Sequence, residues 1–217
     1  MKSYDIIAFD LDGTLSDPAK GLLDGFVYAF RKLGIDYGER DSLRRFIGPP
    51  LIETWMPEFG FTYDEAERAV ILFREYYNIY GWFDNDIYDG IKELLADIKA
   101  AGKKIVLTTS KPEDTALDIL NLHGIYEYFD FVGGASSHKT RERKSEVIDY
   151  VLDSVGCTDR TRVVLIGDRV YDAVGAKESG IDSIGVLWGH GSSEEIASSP
   201  FTYTAGTTDD VRNILGI

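Results

Sequence analysis

Four short stretches of the chain carry residues that could handle a charged group together. Asp10-Leu11-Asp12-Gly13-Thr14-Leu15 sets two carboxylates two positions apart, just before a glycine. Thr109-Ser110-Lys111 offers two hydroxyls and an ammonium group, Lys144 opens a helical pattern, and Gly167-Asp168 is followed four residues on by Asp172. Oxygen ligands hold a hard divalent cation, and a cation placed beside a lysine and hydroxyls holds an anion. A carboxylate with a reference pKa of about 3.9 is ionised at neutral pH and can attack without a base. Its obstacle is repulsion by an anionic substrate, which a bridging cation and a lysine remove. A second carboxylate two positions on in a turn need not face the same way, so it can give a proton to a leaving group and later take one from water.

These stretches can meet only if their elements end at one edge. Tyr4 to Asp10 is a short β-branched and aromatic run closing on acidic and glycine residues, which predicts a buried strand and a turn. Lys103–Thr109, Arg162–Gly167 and Ser183–Leu187 have the same form, and Phe129–Gly133 offers a further strand. Between them run apolar stripes at helical spacing, Ile91, Leu94, Leu95 and Ile98, then Val147, Ile148, Val151, Leu152 and Val155. Pro112 fits the first turn of another helix that ends near Gly124, and Val211 to Leu215 a closing one. Strands alternating with helices predict an α/β fold, a doubly wound parallel sheet whose ligands bind beyond the strands' C-terminal ends. Residues 17–83 break the rhythm with stripes such as Ala66, Ala69, Val70, Phe73 and Tyr77 and no convincing strand, and they hold 15 of the chain's 27 aromatic residues. They are expected to form an inserted helical cap with its own core, leaving 1–16 and 84–217 as the α/β domain.

Composition narrows the function classes. The chain has 217 residues, 44% of them hydrophobic and 28% charged, which suits a folded globule and excludes disorder over most of its length. A net charge of −14 repels nucleic acid polymers and anionic membranes, so an anionic substrate needs a local positive site. No apolar run approaches the roughly 18 residues of a membrane span. The single Cys157 permits no intramolecular disulfide and the N-terminal residues lack a signal-peptide pattern, so the expected compartment is the cytoplasm. His123, His138 and His190 are scattered without metal-ligand spacing, although Gly189-His190-Gly191, after the last clear strand, could lie near the mouth of the site.

With the four stretches in this order over nearly the whole length, the sequence resembles the haloacid dehalogenase-like superfamily, in particular its phosphatase branch with a small helical cap. The resemblance implies that Asp10 is a nucleophile that becomes an aspartyl-phosphate, and that Asp12 is general acid and then general base, its backbone carbonyl helping to hold Mg²⁺. It implies phosphate binding by Thr109 and Lys144, with Ser110 and Gly13 beside them, and metal binding by Asp10, Asp12, Asp168 and Asp172. Lys139, Arg141 and Arg143 crowd the same segment as Lys144, which is chosen because it opens the helix whose apolar face begins at Val147. Lys111 reads as a structural or rim cation.

Within that superfamily the residues favour hydrolysis of a small phosphorylated metabolite by a monomer or homodimer. Halide displacement needs no acid such as Asp12, and the only cap lysines, Lys20 and Lys32, are badly placed for Schiff-base chemistry. A β-phosphoglucomutase-like enzyme usually carries a hinge histidine, and none occurs between 17 and 83. The mutase, an inorganic pyrophosphatase and a non-enzymatic binding module stand as alternatives. The loop Phe46-Ile47-Gly48-Pro49-Pro50-Leu51 is the expected substrate reader, with Arg45, next to Arg44, as a clamp for a second anionic group. The stretch is similar to that of phosphoglycolate phosphatases and 5′-nucleotidases.

Overall fold

Strands buried on both faces read as unbroken apolar runs, and Ile6-Ile7-Ala8-Phe9 is such a run, all four side chains buried. The computed structural model of the chain describes residues 2–48, 50–136, 141 and 143–217. Two compact units emerge, Met1–Ser16 with Ile87–Ile217, and Asp17–Asp86. In the first, β1 (Ile6–Phe9) lies in a six-stranded sheet with β4 (Lys104–Pro112), β5 (Phe131–Ala135), β6 (Val163–Gly167), β7 (Asp182–Val186) and β8 (Tyr203–Ala205). The order is β5-β4-β1-β6-β7-β8 and every pairing is parallel. The chain builds outward from β1 through β4 to β5, then crosses to β6 and builds the other way. The doubly wound α/β fold is therefore present, and its winding reverses beside β1.

Helices α4 (Ile91–Ala100), α5 (Glu113–Leu122), α6 (Lys144–Ser154) and α7 (Val170–Glu178) cover this sheet. The α6 stripe of Val147, Ile148, Val151 and Leu152 packs with Ile6, Ala8, Val106, Val163 and Leu165 in one core. Pro112 ends β4 and caps α5 rather than entering its first turn. Two elements carried no sequence signal, α8 (Ser193–Ser198) and the strand β8; the closing helix α9 (Thr208–Leu215) starts three residues before Val211.

The second unit holds α1 (Ala19–Leu33), α2 (Leu51–Phe59) and α3 (Tyr63–Tyr76), with a 3₁₀ segment Arg40–Phe46 and a π-helical turn Tyr77–Gly81. Its core is aromatic: Trp55 is fully buried, with ring centres 5.4 Å from Phe26 and 4.9 Å from Phe30. The two-residue strands β2 (Ser16–Asp17) and β3 (Asp86–Ile87) pair where the chain leaves and re-enters the sheet-bearing unit. Pro49 of the expected reading loop, Lys139 and His138 lie outside the described residues. No helix among the described residues is long and apolar enough to cross a membrane.

Candidate active site

Register decides which residues meet. Phe9 lies opposite Leu107 of β4 and Ile166 of β6, so Asp10 is the first residue past β1, and its N–H donates to the Ile166 carbonyl at 2.9 Å. Asp168 is the first residue past β6, and Asp172 sits in the first turn of α7. Carboxylate oxygens of Asp10, Asp168 and Asp172 all lie within 4.8 Å of one another. Lys144, at the start of α6, reaches the same place: its Nζ is 2.8 Å from Asp10 Oδ1 and 2.7 Å from Asp172 Oδ1.

Each acid is held by its own neighbours. Asp168 Oδ1 accepts from Thr14 Oγ1 at 3.3 Å and Oδ2 from the His190 N–H at 2.8 Å. Asp172 Oδ2 accepts from the Arg169 N–H at 3.0 Å, an N-terminal helix contact that fixes the carboxylate while leaving Oδ1 to Lys144. Gly13 has φ of +83°, and a Cβ there would fall inside the Asp168 carboxylate, so the turn after Asp12 admits only glycine. Thr109 is buried near the end of β4, its Oγ1 accepting from the Lys111 N–H at 3.2 Å, while Ser110 is exposed.

Asp12 stands apart from the trio. Its Oδ2 is 2.9 Å from Lys111 Nζ, and its Oδ1 is buried with no hydrogen bond among the described residues. The Asp12 carboxylate thus takes no part in the three-acid cluster, and any share it has in holding a metal falls to its backbone. Lys111 is buried rather than at a rim. His190, which the glycine-flanked loop after β7 suggested could lie near the mouth of the site, enters it through its backbone N–H, bonded to Asp168. Arg45 belongs to the other unit, where it donates to the Ser42 carbonyl at 2.8 Å, pairs with Glu58 and lies 4.7 Å from the Phe46 ring centre. Both side chains of that ion pair are exposed.

Electrostatics mark the cluster as a cation site. Burial pushes the Asp168 carboxyl up to about 8, helped by the Asp172 and Asp10 charges. Burial likewise raises Asp172 against the pull of Lys144, and raises Asp12 against the pull of Lys111. Burial works against the Lys144 charge, but Asp10 and Asp172 outweigh it and hold that ammonium above its ordinary range. Three acids gather around one lysine, which pairs with Asp10 and Asp172, so the cluster keeps an excess of negative charge. An all-oxygen set with uncompensated negative charge fits a hard divalent ion.

A profile of the haloacid dehalogenase-like hydrolases matches residues 7–186. Over 218 residues the chain is 37% identical to the tyrosine-protein kinase PtkA of Mycobacterium tuberculosis, covering all of this chain and 74% of that one. It is 36% identical to a 5′-nucleotidase of Pseudomonas aeruginosa over 98% of this chain and 96% of that protein. The crystal structure of a predicted phosphatase from Clostridium acetobutylicum superposes with a TM-score of 0.92 at 35% identity, over 99% of this chain and 100% of the other. An acid-rich, lysine-bearing edge of a doubly wound sheet, matched across this length, leaves one conclusion: the chain belongs to the haloacid dehalogenase-like hydrolase family and is an enzyme of its phosphatase type.

Proposed function

We propose that this phosphatase hydrolyses a small phosphomonoester in two steps through an aspartyl-phosphate on Asp10, and that the cation held by Asp10, Asp168 and Asp172 is Mg²⁺. The observation that carries the reading is the meeting of Asp10 with Lys144, Asp168 and Asp172 at the point where the sheet's winding reverses. Bound Mg²⁺ would offset the repulsion between the attacking carboxylate and the phosphoryl oxygens. Lys144 adds a buried positive charge beside Asp10, which aligns that carboxylate and favours negative charge on the transferring group. Thr109, buried near the end of β4, is assigned to bind the phosphoryl group.

Asp12 carries the proton. Its raised carboxyl is suited to donate, so the leaving alkoxide departs as an alcohol when the bond from Asp10 to phosphorus forms. In the second step, when the Asp10–phosphate bond breaks, the same carboxylate takes a proton from the attacking water. Among substrates, the identity to a 5′-nucleotidase favours a nucleoside 5′-monophosphate, with phosphoglycolate next.

The test is phosphate release from nucleoside monophosphates, phosphoglycolate, pyrophosphate and p-nitrophenyl phosphate. Wild-type protein is expected to release phosphate from at least one monoester, EDTA to stop it, and Asp10→Asn to lower turnover by more than about 10³-fold, as expected when an attacking group is removed. Unimpaired turnover by Asp10→Asn would remove the nucleophile from the scheme. Conversion of glucose 1-phosphate to the 6-phosphate without phosphate release would replace the hydrolase with a mutase.

A further inference from the structure

We infer that Lys111 is a positioning residue for proton transfer, pinning one oxygen of Asp12 so that the other is left to carry the proton; the inference rests on the two-step reading above. The two carboxylates of the first motif take different lysines. Asp10 has Lys144, at 2.8 Å, and Asp12 has Lys111, at 2.9 Å. Each ammonium is buried to the same degree, with 5% of its side chain exposed. The fold thus separates an attacking acid from a proton-carrying acid by giving each its own cation.

Several features aim Lys111 at this contact. Pairing of β4 with β5 shifts register between Thr108 and Pro112, and such an irregularity re-aims side chains at the end of a strand. It leaves Ser110 exposed and turns Lys111 inward. The backbone is held on both sides of that turn. The Lys111 N–H donates to Thr109 Oγ1 at 3.2 Å, and a Cβ at Gly134 of β5 would come within 2.6 Å of the Lys111 carbonyl oxygen. A long side chain fixed at its root and buried along its stem has little rotamer freedom left, so its ammonium orients whatever it meets.

What it meets is Oδ2 of Asp12, while Oδ1 is buried with no hydrogen bond among the described residues. A carboxylate that shuttles a proton needs one oxygen anchored and one unengaged. Without Lys111, the Asp12 carboxylate is free to turn towards the cation-binding trio, where it cannot reach a leaving group.

The experiment compares Lys111→Met and Lys111→Arg with wild type on p-nitrophenyl phosphate, whose leaving group needs little protonation, and on AMP, whose alcohol must be protonated. Lys111→Met is expected to lose kcat on AMP at least about tenfold more than on p-nitrophenyl phosphate, with KM for both within about threefold of wild type, and Lys111→Arg to recover most of the AMP loss. Equal losses on the two substrates, or a loss carried by KM, would overturn the inference and make Lys111 a structural or phosphate-binding group. A crystal structure of Lys111→Met tests the contact without turnover: the Asp12 carboxylate must leave its place, and an unmoved carboxylate overturns the inference. Absence of any turnover by wild type on either substrate would instead count against the phosphatase reading, leaving that structural test standing.

Discussion

Asp168 is the residue on which cation binding and stability pull in opposite directions. Its side chain is fully buried, and burial, with Asp172 and Asp10 nearby, pushes its carboxyl up to about 8. In the unfolded chain the same group titrates near 3.9. The metal-free folded protein therefore holds a proton that the unfolded chain has released, and the resulting stability is complete below about pH 4 and lost as pH rises towards 8. Asp12 and Asp172 are raised in the same sense, whereas Lys144 stays charged throughout this window and adds no slope. Thermal melts in EDTA are expected to show Tm falling from pH 5 to pH 8, as the unfolding free energy drops by up to about 1.4 kcal/mol per pH unit for each such group. Saturating Mg²⁺ should restore more at pH 8 than at pH 5. Asp168→Asn should flatten the metal-free fall and lose the Mg²⁺ effect; a metal-free Tm that rises with pH would contradict the raised carboxyls.

At the scale of elements, the loop after β7 shows how backbone groups can hold a site together. Gly189 passes so close to the Gly13 carbonyl and the Asp168 side chain that an added Cβ would overlap both, and the next N–H, of His190, bonds Asp168 Oδ2. Gly189→Ala must push this loop and Asp168 apart. Divalent-ion affinity, read by calorimetric titration or by the Mg²⁺ dependence of turnover, should fall about 10- to 100-fold, the usual effect of losing a group that orients a ligand. Unchanged affinity would mean that Asp168 is held from elsewhere, by Thr14. Much of this scale could be read from the chain. The strands at Ile6, Lys104, Val163 and Asp182 declared themselves as apolar runs, and the α4 and α6 stripes by their period. The strand β8, with three residues, and α8, with six, are too short to express a period at all. Lys111 escaped for another reason, because the shift near the end of β4 breaks the regular alternation that would assign it a face. Asp10, Lys144, Asp168 and Asp172 were legible because each lies at or near the boundary between an apolar run and a turn or helix start.

For the molecule as a whole, charge sets the approach of substrate. A chain of net charge −14 presents a repulsive field to a phosphate dianion at long range, while the buried Lys144 and Lys111 act only over the last few ångströms. These two ranges respond differently to salt. At 10 mM ionic strength the Debye length is about 30 Å, and at 150 mM about 8 Å, so added salt weakens the distant repulsion far more than contacts inside the site. Raising NaCl from 10 to 150 mM at fixed, saturating Mg²⁺ is therefore expected to lower KM for a phosphomonoester by about two- to threefold, with kcat nearly constant. A KM that climbs with salt would mean that a local positive field already reaches out to bulk solvent and outweighs the acidic surface, and the balance of 37 acidic against 23 basic residues would then say nothing about how substrate arrives.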